Sequence, residues 1–458
     1  MLTISKSSFV ISFFRSDWIL LIAIIARLAS SITADISFLI LALYALRGNQ
    51  EVIKALIFLW LFNLINQGIA PIPEYGHVGR YAVIFSSLIS IMLRFNFSLK
   101  KIDNLIFLTT VIGIYFIIHA IIFSQIPAVS ILKAINWTLT ILILLVAWSR
   151  LDPLQYRNMQ KWFVGFLISV TVVSLITFFY PEVGYRDTGT SFQGIINHPL
   201  AFAPLMALLG AFILGQLLEQ KKPSWKLIFS LSFIYLLVFL SESRTSGVAL
   251  FLACLICITF IFLISRHKLE SYSPAVKSKR LFSIGLILIF FLIIDSLQFN
   301  LVDYFITKSN KAEVSGLIDA FITSRKVLYE PMIANIIENP FTGIGFGIAS
   351  DPQSMQIIND PIFGLPVQAP IEKGVTPLMV LEEVGLIGFL LFILWAFLLI
   401  LRSISNGIAA FLVLITLLLI NIGESVLFSP GGAGLLIIIA LSATVTKPRL
   451  IKYDRSEV

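Results

Sequence analysis

The stretch LIFLTTVIGIYFIIHAIIFS, residues 105–124, contains no Asp, Glu, Lys or Arg. About 20 mostly apolar residues in an α-helix cross the roughly 30 Å hydrocarbon core of a bilayer. Working outward, apolar runs of this kind recur near 17–33, 35–47, 53–72, 81–95, 128–148, 162–181, 198–218, 225–241, 247–265, 281–299, 376–401, 407–428 and 431–446. The pattern predicts an all-α fold, a polytopic transmembrane helix bundle of about 12–14 spans. The long interruption at 300–375 is rich in Pro, Gly and Asn and is predicted to be an outer loop containing short helices. The chain then divides into a first membrane part over 1–299, the loop at 300–375, the last spans at 376–446 and a basic tail at 447–458.

Composition excludes the alternatives. Of 458 residues, 58% are hydrophobic and 13% are charged, with a mean hydropathy of +0.96. Soluble domains carry about 25% charged residues, so a soluble enzyme, a nucleic-acid binder, a disordered chain and a secreted disulfide scaffold are all excluded. Cys254 and Cys257 share one apolar run and read as small hydrophobes rather than a redox or zinc pair. Lys6 and Arg15 precede an apolar run with no small-residue cleavage site after it, so no cleavable signal is expected.

The net charge of +8 is explained by loop placement. Taking alternate loops as cytoplasmic puts Arg47, Lys54, Arg94, Lys100, Lys101, Arg150, Arg157, Lys161, Lys221, Lys222 and Lys226 on one side. Arg266, Lys268, Lys277, Lys279, Arg280, Arg402 and the tail residues Lys447, Arg449, Lys452 and Arg455 follow them. By the positive-inside rule both termini are cytoplasmic and 300–375 is external.

What remains on the outer face is His77, Arg80, Arg186, Asp187, His198, Glu242, Arg244, Arg325, Lys326, Glu338, Glu372, Lys373, Glu382, Glu383 and Glu424. Ionisable groups at membrane depth are costly unless paired or facing a wet cavity, which makes them site candidates. Arginines recurring in separate outer loops suit a polyanion, because a guanidinium forks onto phosphate with two charge-assisted hydrogen bonds. No Walker loop, His-Glu-x-x-His or Asp-x-Asp pair occurs, so metal-independent chemistry without a cofactor is expected.

Four stretches go beyond composition: RDTGTSFQGIINHP (186–199), SESRTSG (241–247), SRKVLYEPMIANIIENPFTGIGFG (324–347) and EKGVTPLMVLEEVGLIG (372–388). In order and spacing they resemble the O-antigen ligase and polymerase superfamily of bacterial envelope polysaccharide synthesis. Arg186, Gly194, His198 and Pro199 fit its first motif, and Ser243, Arg244 and Gly247 its second. Arg325, Asn339, Pro340, Gly343 and Gly345 fit the loop motif, with Tyr329 where the family usually has Trp; Leu378, Glu383, Gly385 and Gly388 fit the last. Many members, ligases especially, carry a His-Asn pair before that last span, where this chain has Gly374-Val375.

The resemblance implies an inverting glycosyltransferase in the bacterial inner membrane, acting on undecaprenyl-diphosphate-linked oligosaccharide at the outer leaflet. Arg325, Arg244 and Glu372 are then expected in catalysis, and Arg186, His198, Lys373, Arg80 and Glu242 in substrate binding. A polymerase, with membrane lipid and a chain-length regulator protein as partners, is expected ahead of a ligase because the His-Asn pair is missing. A transporter or flippase is the alternative of another class; it predicts two corresponding halves, which the sequence does not display. A lipid-phosphate-sugar transferase with Asp35 in its first outer loop is a further alternative. Three of these features also have plainer readings: 343-GIGFG-347 as a backbone turn packed on the outer surface, His198-Pro199 as a helix start, and Glu383 as a partner for nearby backbone.

Overall fold

The computed structural model describes residues 17–94, 103–185, 189–220, 222–264, 317–360, 364–371 and 373–447. The predicted span at 281–299, Arg186, Glu372 and nearly all of the tail lie outside the described residues. The rest is a bundle of α-helices, as the apolar runs require. It opens with α1 (Trp18–Ala29), α2 (Ser31–Ala45), α3 (Asn49–Leu64), α4 (Gly76–Leu93), α5 (Asn104–Phe123), α6 (Pro127–Ser149), α7 (Pro153–Ile176) and the single turn α8 (Pro181–Gly184). There follow α9 (Pro199–Glu219), α10 (Trp225–Leu240), α11 (Arg244–Ile264), α12 (Leu317–Glu338), α13 (Thr376–Asn406), α14 (Ile408–Gly423) and α15 (Gly434–Val445). A two-stranded antiparallel ribbon, β1 (Ile358–Asn359) and β2 (Pro366–Gln368), sits between α12 and α13.

Among the described residues, six helices are long and apolar enough to cross a membrane: α4, α5, α6, α7 with its 3₁₀ extension to Phe179, α9 and α13. Such helices need no outside partners for their backbone, which is why they suit hydrocarbon. Leu390, Ile393, Leu394, Phe397 and Leu401 leave one face of α13 apolar and exposed, the surface a lipid tail would cover. By contrast α9 is buried along almost its whole length and forms the centre.

Sequence signals set the helix ends, and they move several predicted boundaries. The first predicted span, 17–33, stops at Ala29 because Ser30 turns the chain and its hydroxyl accepts from the Thr33 amide as the cap of α2. The run at 53–72 ends at Leu64, where the Asn66 side chain accepts from the Gly68 amide and donates to the Val183 carbonyl. In the other direction α7 begins nine residues before the predicted 162, at Pro153, behind a capping box of Asp152 and Gln155. Among its described residues the 300–375 segment holds the 22-residue helix α12, longer than the short helices expected there, and a single 3₁₀ turn at Pro352–Ser354.

The bundle has two distinct ends. At one, Arg94 donates to the Leu46 and Arg47 carbonyls, Arg150 donates to the Arg94 carbonyl, and Arg402 forks onto Asp103 at 2.8 and 2.9 Å. Lys54 and Asp17 pair nearby in a buried site. About 24 Å away, the rise of the 16 helical residues from Leu386 to Arg402 on α13, lie the loops that carry the four motifs. Cys254 and Cys257 are free thiols packed in an apolar cluster with Leu214, Ala253 and Phe411, in keeping with their reading as hydrophobes.

Candidate functional site

The motif end is assembled from two stitched pairs of segments. In the first pair, the Phe192 amide donates to the Leu240 carbonyl at 2.8 Å and the Ser191 hydroxyl donates to Glu242 Oε2 at 2.9 Å. This joins the 186–199 motif to the 241–247 turn. Glu242 has φ of 52°, a left-handed backbone that a sharp turn imposes. Arg244 is the first residue of α11, half-exposed at the mouth of that turn. His198 caps α9 through Nδ1, which accepts from the Leu200 amide, and Pro199 occupies the first helical position. The helix-start reading of His198-Pro199 therefore holds.

The second pair is the 324–347 motif and the 372–388 motif. Helix α13 is broken at Gly385, with φ of 65° and ψ of −173°. Such a break strands backbone groups at membrane depth, and each needs a partner. The loop 340–348 supplies them. The Ile344 and Gly345 amides donate to the Glu382 and Glu383 carbonyls at 3.0 and 2.9 Å, and the Leu386 amide donates to the Pro340 carbonyl at 2.9 Å. Only glycine permits this approach: a Cβ on Gly385 would lie 2.0 Å from the Phe341 carbonyl oxygen, and one on Gly343 2.6 Å from that of Glu382. The 343–347 turn is a backbone turn, as expected, but not a surface one. Ile344, Phe346 and Ile348 are buried, because the turn plugs the break in α13.

Beside the break lies a buried charge cluster. The Lys373 ammonium is 2.7 Å from Glu382 Oε2 and 3.1 Å from Glu383 Oε1, all three side chains being within 2% of full burial. Glu383 Oε2 accepts from the Gly347 amide at 2.6 Å, so the backbone-partner reading of Glu383 is met. Asn335, on α12, donates to Glu382 Oε1 at 2.7 Å and to the Ser350 carbonyl at 2.8 Å. Lys133, from α6, donates to the Gly347 carbonyl at 2.6 Å. Two cations face two carboxylates, which is what makes such burial tolerable. Lys373 was expected to meet substrate; its charge is here taken up by Glu382 and Glu383.

Arg80, another expected substrate ligand, is buried on α4. Its Nη2 donates to the Val367 carbonyl of β2 at 3.0 Å and to the Tyr81 hydroxyl at 3.1 Å. Arg325 lies on α12, about 15 Å along the helix from Asn335. The two pairs are linked by the loop 424–433. Gly423 abuts Thr245, next to Arg244, and Gly431 abuts the Arg80 guanidinium. Between them Phe428 sits edge-on to Phe346 at 5.6 Å, above a layer of Phe116, Trp137, Phe392 and Trp395.

Lys133, His119 and Asn335 escaped the sequence reading. Lys133 had a usable signal, a lone cation within an apolar run. His119 Nε2 hydrogen-bonds the Thr342 carbonyl, docking α5 on the same loop. Asn335, an uncharged amide within the apolar stretch MIANII (332–337), gave no signal.

Residues 227–393 match the family model described as O-Antigen ligase. The matched range contains the second, third and fourth motifs and supports the O-antigen ligase and polymerase superfamily, while the 186–199 motif precedes it. No curated protein matches the chain.

Proposed function

We propose that this multi-pass membrane protein is an O-antigen ligase/polymerase-type enzyme that works as a polymerase. It transfers undecaprenyl-diphosphate-linked oligosaccharide onto a second lipid-linked repeat unit at the outer leaflet of the bacterial inner membrane, with inversion and without a metal. The observation that carries the reading is the gathering of the motifs at one end of the bundle, three of them within the range matched by the family and the first one a helix ahead of it. Arg244 and Arg325 bind the diphosphate leaving group, with Arg186 assisting. Charge grows on that group as the glycosidic bond breaks, so arginines held there lower the barrier. Glu372 or Glu242 takes the proton from the acceptor hydroxyl. Gly374-Val375, in place of the His-Asn pair of ligases, supports polymerase over ligase. Both termini are cytoplasmic, and a chain-length regulator is the protein partner.

The test is the lipid-linked intermediate that accumulates in a strain lacking the protein. Single repeat units on the prenyl carrier are expected. Full-length polymer left on the carrier would overturn the polymerase in favour of a ligase.

A further inference from the structure

The backbone hydrogen bonds between 340–348 and α13 close the helix break by themselves. The charges beside them need another reason. Burying four ionisable groups gains little stability over well-packed apolar side chains, but it can select one arrangement among several. Gly343 and Gly385 already set the register of the loop on the break. The charged groups hold it seated in that register, with the Gly347 amide on Glu383, the Gly347 carbonyl on Lys133 and Asn335 on Glu382.

The cluster also decides where α12 sits. On the C-terminal half of α12 Met332 is buried and Tyr329 packs against the core, while Asn335 ties the helix to Glu382 and to the Ser350 carbonyl. Pro331 interrupts the hydrogen-bond ladder between this tie and the N-terminal half that carries Arg325. We infer that Lys133, Lys373, Glu382 and Glu383 form a charge-balanced latch that seats the 340–348 loop in the break of α13 and so positions α12. These are positioning residues; that the latch serves Arg325 in catalysis rests on the polymerase reading above.

The test uses the purified, detergent-solubilised full chain with Cys254 and Cys257 replaced by Ala. Ile344→Cys places a thiol at a buried position of the loop, and its reaction rate with a maleimide reports seating. Slow labelling is expected in this background. Adding Lys373→Met strands two carboxylates, and labelling should quicken by about a hundredfold or more, the population factor for breaking a buried pair. Adding Glu382→Gln to Lys373→Met restores the balance, because Gln still accepts from Asn335, and protection should return. Unchanged protection in the Lys373→Met form overturns the latch. Should that form be absent from the membrane while the double variant is present and protected, charge balance is supported. Absence of both overturns it, since Lys373 would then serve the fold at large. Polymer formation in cells should fall with Lys373→Met and recover in the double variant. A labelling result as expected with unaffected polymer keeps the latch and sinks the catalytic reading of α12.

Discussion

Lys54 bridges both carboxylate oxygens of Asp17 at 2.8 Å in a site from which solvent is nearly absent. The Tyr44 hydroxyl and the Trp162 indole N–H donate to the same carboxylate at 2.8 and 3.2 Å. Four helices, or the residues that start them, are thereby tied at the basic end: α1, α2, α3 and α7.

Breaking that tie from one side should cost about 3–5 kcal/mol, because a buried carboxylate would lose its counter-charge. Lys54→Met is expected to lower the thermal midpoint of the solubilised protein strongly. Lys54→Met combined with Asp17→Asn should recover much of the loss. A double variant no more stable than the single would refute the electrostatic account.

The two ends should differ in accessibility. In a chain with Cys254 and Cys257 removed, Ser354→Cys, at an exposed position beside the motif end, should react with an impermeant thiol reagent in intact spheroplasts. Ser405→Cys, exposed at the basic end, should react only after rupture. The reverse pattern would invert the orientation and remove the proposed site from the outer leaflet.

Arg244→Ala and Arg325→Ala should each abolish or nearly abolish polymer at a normal membrane level of protein. A charge-assisted hydrogen bond is worth about 1.5–3 kcal/mol, and about 1.4 kcal/mol is tenfold, so each arginine accounts for tenfold to a hundredfold in rate. Lys should rescue poorly because it lacks the two-pronged geometry. Lys326→Ala should do little, its side chain being 70% exposed and only loosely paired with Glu330 at 3.8 Å. Wild-type polymer lengths in both arginine variants would leave these residues as interfacial anchors.

Two glycines should part company. Gly385→Ala forces a left-handed backbone on alanine and drives its Cβ into the Phe341 carbonyl. The conformation alone costs about 1–3 kcal/mol, and the clash adds to it, so low protein level and no polymer are expected. Gly432→Ala meets nothing within 4 Å and has no positive φ, and should be neutral. Membrane level by immunoblot and polymer length on a gel compare the pair directly.

The class of the molecule is legible along the chain. Apolar length and the scarcity of charge require membrane helices, and the order of the four motifs was enough to suggest the superfamily that residues 227–393 then matched. These are local properties, read from composition and spacing along one stretch at a time. Caps were legible on the same ground: His198-Pro199 reads as a helix start because the cap lies within three residues of the helix it begins.

Tertiary structure decided what depended on distant segments meeting. That α13 breaks at Gly385, that the glycine-rich turn plugs the break, that Asn335 meets Glu382 and that Lys133 meets the Gly347 carbonyl all follow from contacts between residues tens to hundreds of positions apart. Even Lys373, nine and ten positions before its two carboxylates, reaches them only because the chain turns into α13. A lysine in an apolar run announces that it needs a partner. Which partner it finds is fixed only when the helices pack, because burial makes pairing compulsory and the fold alone determines who is within reach.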